Sequence, residues 1–157
     1  MHYRFLTTWL LRADVDAVFD AIHDTEAWPQ WWPGVRRVVA RGGGDDDGVG
    51  RRFQIVWRSF LPYDLAFETE VTRVHRPRVM QGTATGELVG SGCWRLYDDS
   101  EGLVVVLYEW EVATTKRWMN ALGPLGKPVF RWNHDYVMRA GGRGLARRLG
   151  AELVGAT

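Results

Sequence analysis

Residues Lys127–Leu153, KPVFRWNHDYVMRAGGRGLARRLGAEL, decide the fold, because they read as one long helix in a chain patterned elsewhere mostly as strand. Pro124 and Gly126 mark its approach, and Pro128 suits a first turn, where its missing N–H would have no intrahelical partner. Arg139, Arg143, Arg147 and Arg148 load the C-terminal half, where positive charge complements the helix dipole. At about 100° per residue, one face collects Phe130, His134, Val137, Met138, Gly141, Leu145 and Leu149, while Arg131, Asp135, Arg139 and Arg143 fall elsewhere. That stripe is apolar except for one imidazole. Gly141, Gly142 and Gly144 each weaken a helix by roughly 1 kcal/mol relative to Ala, so a bend or break is expected at 141–144.

The rest of the chain must supply the surface that such a face needs. Tyr3–Arg12 alternates, with Tyr3, Phe5, Thr7, Trp9 and Leu11 on one side. Asp14 is an N-cap for a short helix carrying Val15, Val18, Phe19 and Ile22, and a second short helix or turn covers Glu26–Trp32 before Pro33-Gly34. Strands are expected at 35–41, 51–58, 63–74, 79–83, 86–97 and 103–114, the first two as a hairpin tipped by GGGDDDG. Gly90 and Gly92 suggest a bulge or sharp bend in the fifth of these. A short helix at 116–122 leads into the long one. Loops of two to seven residues favour antiparallel neighbours, so the expectation is a two-layer α+β domain spanning 1–157, with one curved seven-stranded antiparallel sheet against one long helix.

At 157 residues, a single domain buries about 68–70% of its unfolded surface without a staple. A net charge of +1, from 20 basic and 19 acidic residues, argues against a dedicated nucleic-acid binder. The lone Cys93 cannot form an internal disulfide and fits a reducing compartment; no apolar run reaches membrane-spanning length, and a cytoplasmic location is expected. Nine tryptophans, with five tyrosines and six phenylalanines, mark a chain whose rings either fill its core or line an apolar pocket.

Several stretches resemble the START/Bet v 1-like superfamily, and within it the polyketide cyclase/dehydrase and lipid-transport-like group. They are RADVDAVFDAIHDTEAWPQWWPGV (12–35), SFLPYDLAF (59–67), GELVGSGCW (86–94), YEWEVATTKRWM (108–119), WNHDYVM (132–138) and GLARRLG (144–150). The resemblance covers essentially the whole chain. It implies a helix-grip fold, in which the sheet wraps around the C-terminal helix, two short helices lie between strands 1 and 2, and an apolar cavity separates helix from sheet.

Within that frame His134 is the group able to exchange a proton near neutral pH on the inner stripe, with Asn133 beside it. It is either a ligand contact, or an acid/base for enolisation and loss of water in polyketide ring closure, or a core histidine satisfied by a neighbour. Candidate pocket residues are Trp9, Trp57, Phe67, Trp94, Tyr108 and Trp110 from the sheet and Phe19 from the first short helix. The long helix adds Phe130, Asn133, His134, Val137, Met138 and Gly141. Asp64, Glu68, Glu70, Glu109 and Glu111 fall on polar strand faces and are expected to pair with arginines. Trp28, Trp31, Trp32 and Pro33 either gate a cavity mouth or staple a turn to the core.

The glycine runs lack the Lys-Ser/Thr of a phosphate loop and the third glycine of a dinucleotide fingerprint. His2, His23, His75 and His134 lack metal-ligand spacing, and no serine sits in a nucleophile elbow. What the resemblance implies, with the aromatic inner face, is a partner that is a hydrophobic or polyaromatic small molecule, lipid, polyketide or quinone-like; no metal, nucleotide or other cofactor is expected. The alternatives are a lyase-type polyketide aromatase/cyclase or dehydratase using His134, and a regulatory module acting through the basic helix surface.

Overall fold

A computed structural model describes residues 1–58 and 60–157; Ser59, the first residue of the SFLPYDLAF stretch, lies outside them. The elements in order are β1 (His2–Arg12), α1 (Val15–His23), a 3₁₀ turn (Thr25–Ala27), α2 (Trp28–Trp31), β2 (Val35–Gly42), β3 (Arg52–Arg58) and β4 (Asp64–His75). They continue with β5 (Val79–Gly86), β6 (Leu88–Asp98), β7 (Leu103–Thr114), α3 (Arg117–Ala121), α4 (Gly123–Leu149) and β8 (Glu152–Ala156). The strands form one antiparallel sheet in the order β2-β3-β4-β5-β6-β7-β1-β8. Period-two alternation sets its inner face: along β1, Tyr3, Thr7, Trp9 and Leu11 are buried while His2, Arg4, Leu6 and Arg12 are exposed. α4 lies against that face through Phe130, Val137, Met138 and Leu145, whose burial stabilises by about 1.5–3 kcal/mol apiece. This is the helix-grip arrangement, an α+β fold. No helix among the described residues is long and apolar enough to cross a membrane.

Three features differ from the sequence reading. The sheet has eight strands rather than seven, because the long helix ends at Leu149 and not at Leu153. Gly150 takes φ 61° there, the left-handed cap open to glycine, and its N–H turns back onto the carbonyls of Ala146 and Arg147; the chain then pairs with β1. At the other end α4 begins at Gly123, with Pro124 in the first turn, and Pro128 sits inside the helix.

The glycines break nothing. α4 runs unbroken through Gly141, Gly142 and Gly144, all buried, and β6 keeps continuous register with both neighbours past Gly90 and Gly92. In α4 the glycines admit indoles. Trp32 Nε1–H donates to the Val137 carbonyl and Trp9 Nε1–H to the Met138 carbonyl, each at 3.0 Å. In a helix those carbonyls point toward residues 141 and 142. A Cβ on Gly141 would lie 2.5 Å from the Trp32 ring, one on Gly142 2.9 Å from Trp9, and one on Gly144 1.8 Å from the Trp31 carbonyl oxygen. Trp28, Trp31 and Trp32 are all buried, so the cluster fastens the α2 turn to the core.

Candidate functional site

Between α4 and the sheet lies a cavity of about 160 Å³, far larger than a single-water void. Of the side chains picked out in the sequence, Trp57, Phe67, Trp94, Tyr108 and Trp110 border it from the sheet. Phe130, Asn133, His134, Val137 and Met138 border it from α4. Trp9, Phe19 and Gly141 stand behind the wall instead. Trp9 is fully buried and bonded to α4, Phe19 is fully buried with the Arg76 guanidinium over its ring, and Gly141 is covered by Trp32. The structure adds Phe5 and Tyr63 to the wall. Both carried a signal: Phe5 shares the alternating face of Tyr3 and Trp9, and Tyr63 that of Leu65 and Phe67 in the strand expected at 63–74.

One side of the cavity is a ladder of nearly parallel rings. Phe5 pairs with Trp110 across β1 and β7, and Trp94 pairs with Tyr108 across β6 and β7. Trp94 stacks on Tyr108 at 4.0 Å and 20°, Tyr108 on Trp110 at 6.4 Å and 26°, and Trp110 on His134 at 5.8 Å and 22°. His134 then lies on Phe5 at 3.9 Å and 13°. A cavity wall built of such rings fits a flat, apolar molecule laid against it.

Its polar groups are few and specific. His134 is 8% exposed; its Nδ1 lies 3.3 Å from Asp135 Oδ1, while Nε2 is buried with no hydrogen-bond partner. Burial pushes its pKa down to about 4, against a smaller upward pull from Asp135, so the ring is neutral at pH 7. With the proton on Nδ1 donated to Asp135, Nε2 carries a bare lone pair. Asn133 Oδ1, on the adjacent residue, is likewise buried without a partner. Burial raises the Tyr108 hydroxyl well above the ordinary phenol value, keeping it a neutral donor.

Charges stay outside. Among the described residues no Lys or Arg lines the cavity, and its one bordering carboxylate, Glu70, is exposed. Asp64, Glu109 and Glu111 pair with Arg58, Arg95 and Arg4 on partly exposed surface, at 2.6, 2.9 and 2.5 Å. Asp45 in the hairpin tip is occupied by the backbone N–H groups of Asp47 and Val49, which closes that loop. Among the described residues no three His, Cys, Asp or Glu side chains gather as a metal ion would need.

A curved antiparallel sheet gripping one long helix around an aromatic cavity places the chain in the helix-grip class of fold. The chain belongs to the family described as "Polyketide cyclase / dehydrase and lipid transport", which it matches over residues 4–150. No curated protein matches it. Among solved structures, it is similar to a START superfamily protein from Mycobacterium smegmatis, with TM-score 0.76 and 13% identity over 96% of this chain and 98% of that one. It is similar also to the Zhui aromatase/cyclase from a Streptomyces species, with TM-score 0.69 and 16% identity over 96% and 93%. The di-domain ARO/CYC protein BexL aligns with TM-score 0.72 and 15% identity over 96% of this chain, which spans about half (51%) of that longer one. These likenesses establish the fold.

Proposed function

We propose that the protein binds a flat, hydrophobic or polyaromatic small molecule bearing at least one hydroxyl, held between α4 and the sheet. The observation that carries this reading is the pair of unpartnered acceptors, His134 Nε2 and Asn133 Oδ1, at an otherwise apolar, ring-lined cavity. A buried acceptor without a partner costs about 1–3 kcal/mol, which a ligand O–H would recover. A carboxylate finds no cation among the described lining residues, so phenols and enols fit better than fatty acids. Titrating polycyclic phenols, quinones and fatty acids against tryptophan fluorescence tests this. Phenols should bind at least about tenfold more tightly than a carboxylate of similar size, because the ionised carboxylate would be buried there without a cation. Silence across the whole panel would sink the reading, and so would fatty acids binding best.

Family membership and one chemical feature favour a second reading, a polyketide cyclase or dehydratase. A neutral imidazole with a free lone pair can accept a proton from a substrate carbon or hydroxyl, and Tyr108 in the same wall is a neutral donor. Turnover of a linear polyketide at the uncatalysed rate, by protein that binds the cyclised phenol, would leave binding alone.

A further inference from the structure

α4 carries a second apolar stripe, on the side away from the sheet. Leu125, Val129, Trp132 and Tyr136 recur at helical spacing and are 85%, 46%, 51% and 47% exposed. Phe60, 69% exposed, packs edge-on against Trp132 at 5.3 Å and reaches Tyr136 at 6.3 Å. Continuing at the same spacing, the stripe becomes Arg139, Arg143 and Arg147, all exposed and, among the described residues, in no ion pair. α4 has six Lys or Arg and one acid, Asp135, which lies off this stripe and faces His134. One ridge thus presents protruding apolar tips in its first half and unopposed guanidinium groups in its second.

We infer that this ridge docks on the surface of a bilayer containing anionic phospholipid, with Leu125, Trp132, Tyr136 and Phe60 in the interface and Arg139, Arg143 and Arg147 against lipid phosphates. Charge complementarity selects an anionic occupant, since the same ridge of a second copy carries no acid to meet these arginines, the one acid of α4, Asp135, lying off it. A convex single-file ridge has no interlocking shape to offer a protein partner, whereas a bilayer interface takes apolar tips without one and favours Trp and Tyr at headgroup level. The ridge also borders the cavity. Asn133 lines it next to the outward Trp132. Docking stands independently of the ligand reading; only the further step, that the cavity fills from the bilayer, rests on it.

Flotation with vesicles of phosphatidylcholine, with and without a third of phosphatidylglycerol, tests the docking on ligand-free protein, so its failure is separate from failure of the phenol titration. Wild-type protein should float with anionic vesicles at low salt and lose much of that binding near ~150 mM salt. Each arginine should contribute about fivefold, so R139Q/R143Q/R147Q should bind roughly 100-fold more weakly. Leu125→Ser with Trp132→Ser should cost about tenfold or more by removing apolar burial. All five positions are exposed, and unchanged thermal midpoints check the fold. No flotation by wild-type protein, equal flotation of the triple variant, or equal binding to neutral vesicles would each overturn the proposal. Capture of an acidic protein through the same arginines, without vesicle binding, would overturn it in favour of a protein partner.

Discussion

The imidazole of His134 lies face to face on the Phe5 ring, centroids 3.9 Å apart and planes 13° from parallel, so a titratable group from α4 is packed as if it were an aromatic rung of the sheet. That packing has a pH consequence. In the fold the pKa is near 4, and in the unfolded chain near 6.5. Between those values the unfolded chain takes up a proton that the fold refuses. Stability from this site is therefore full above about pH 6.5 and falls as pH drops toward 4, by up to about 3 kcal/mol. Urea midpoints for the wild type and His134→Gln at about pH 7.5 and about pH 4.5 isolate it. The wild type should lose more than the variant; equal losses would mean that the imidazole is solvated.

The bare Nε2 predicts how ligands are ranked. Methylating the hydroxyl of a bound phenol removes the proton that Nε2 accepts and should weaken binding by about 3- to 10-fold, the worth of one hydrogen bond. In His134→Phe, which keeps the stack on Phe5, the phenol's advantage over its methyl ether should shrink to what Asn133 Oδ1 alone supplies. If the wild type does not distinguish the two, Nε2 is not the contact.

Gly92 offers a steric test of the cavity. A Cβ there would fall 2.5 Å from the Tyr108 hydroxyl and 3.0 Å from its ring, side-chain atoms that can yield by swinging the ring. Gly92→Ala should displace Tyr108 along the cavity wall and lower ligand affinity about tenfold, at a cost of about 1–3 kcal/mol in stability. Calorimetric titration and thermal unfolding of one sample read both. Unchanged affinity would place the ligand away from the Trp94–Tyr108 end.

Long strands announced themselves because alternation over β1, β4 and β7 leaves little room for another period, and the fold class followed. β8 was hidden by an accident of spacing: Leu149 and Leu153 are four apart, so the helical stripe carried through Gly150, although glycine after Arg147 and Arg148 is a capping pattern. His134 was legible from its place on the inner stripe. Its missing partner at Nε2 was not, because an orphaned atom is defined by what every other element fails to bring near it. The arginines of the outer ridge were legible as a basic helix surface; its apolar half, Leu125, Val129, Trp132 and Tyr136, was not, because it starts before Lys127 and lies opposite the inner stripe. The α4 glycines were misread for a related reason, their partners being tryptophans more than a hundred positions away in sequence.

Those glycines give the sharpest stability test. In an open helix Gly→Ala gains up to about 1 kcal/mol. At Gly144 the new Cβ would sit 1.8 Å from the Trp31 carbonyl oxygen and 2.9 Å from its carbon, both backbone atoms of the turn that seats α2 on α4. No rotamer change relieves that contact, so helix and turn must part. Gly144→Ala should therefore destabilise by about 2 kcal/mol or more, reversing the sign expected from propensity. Ala140→Gly, one turn earlier and only half-buried, should lose about 1 kcal/mol by propensity alone. Urea unfolding of the two variants beside the wild type decides the matter. If Gly144→Ala were neutral or stabilising, α4 would not be held against Trp31, and close approach would not be the reason for its glycines.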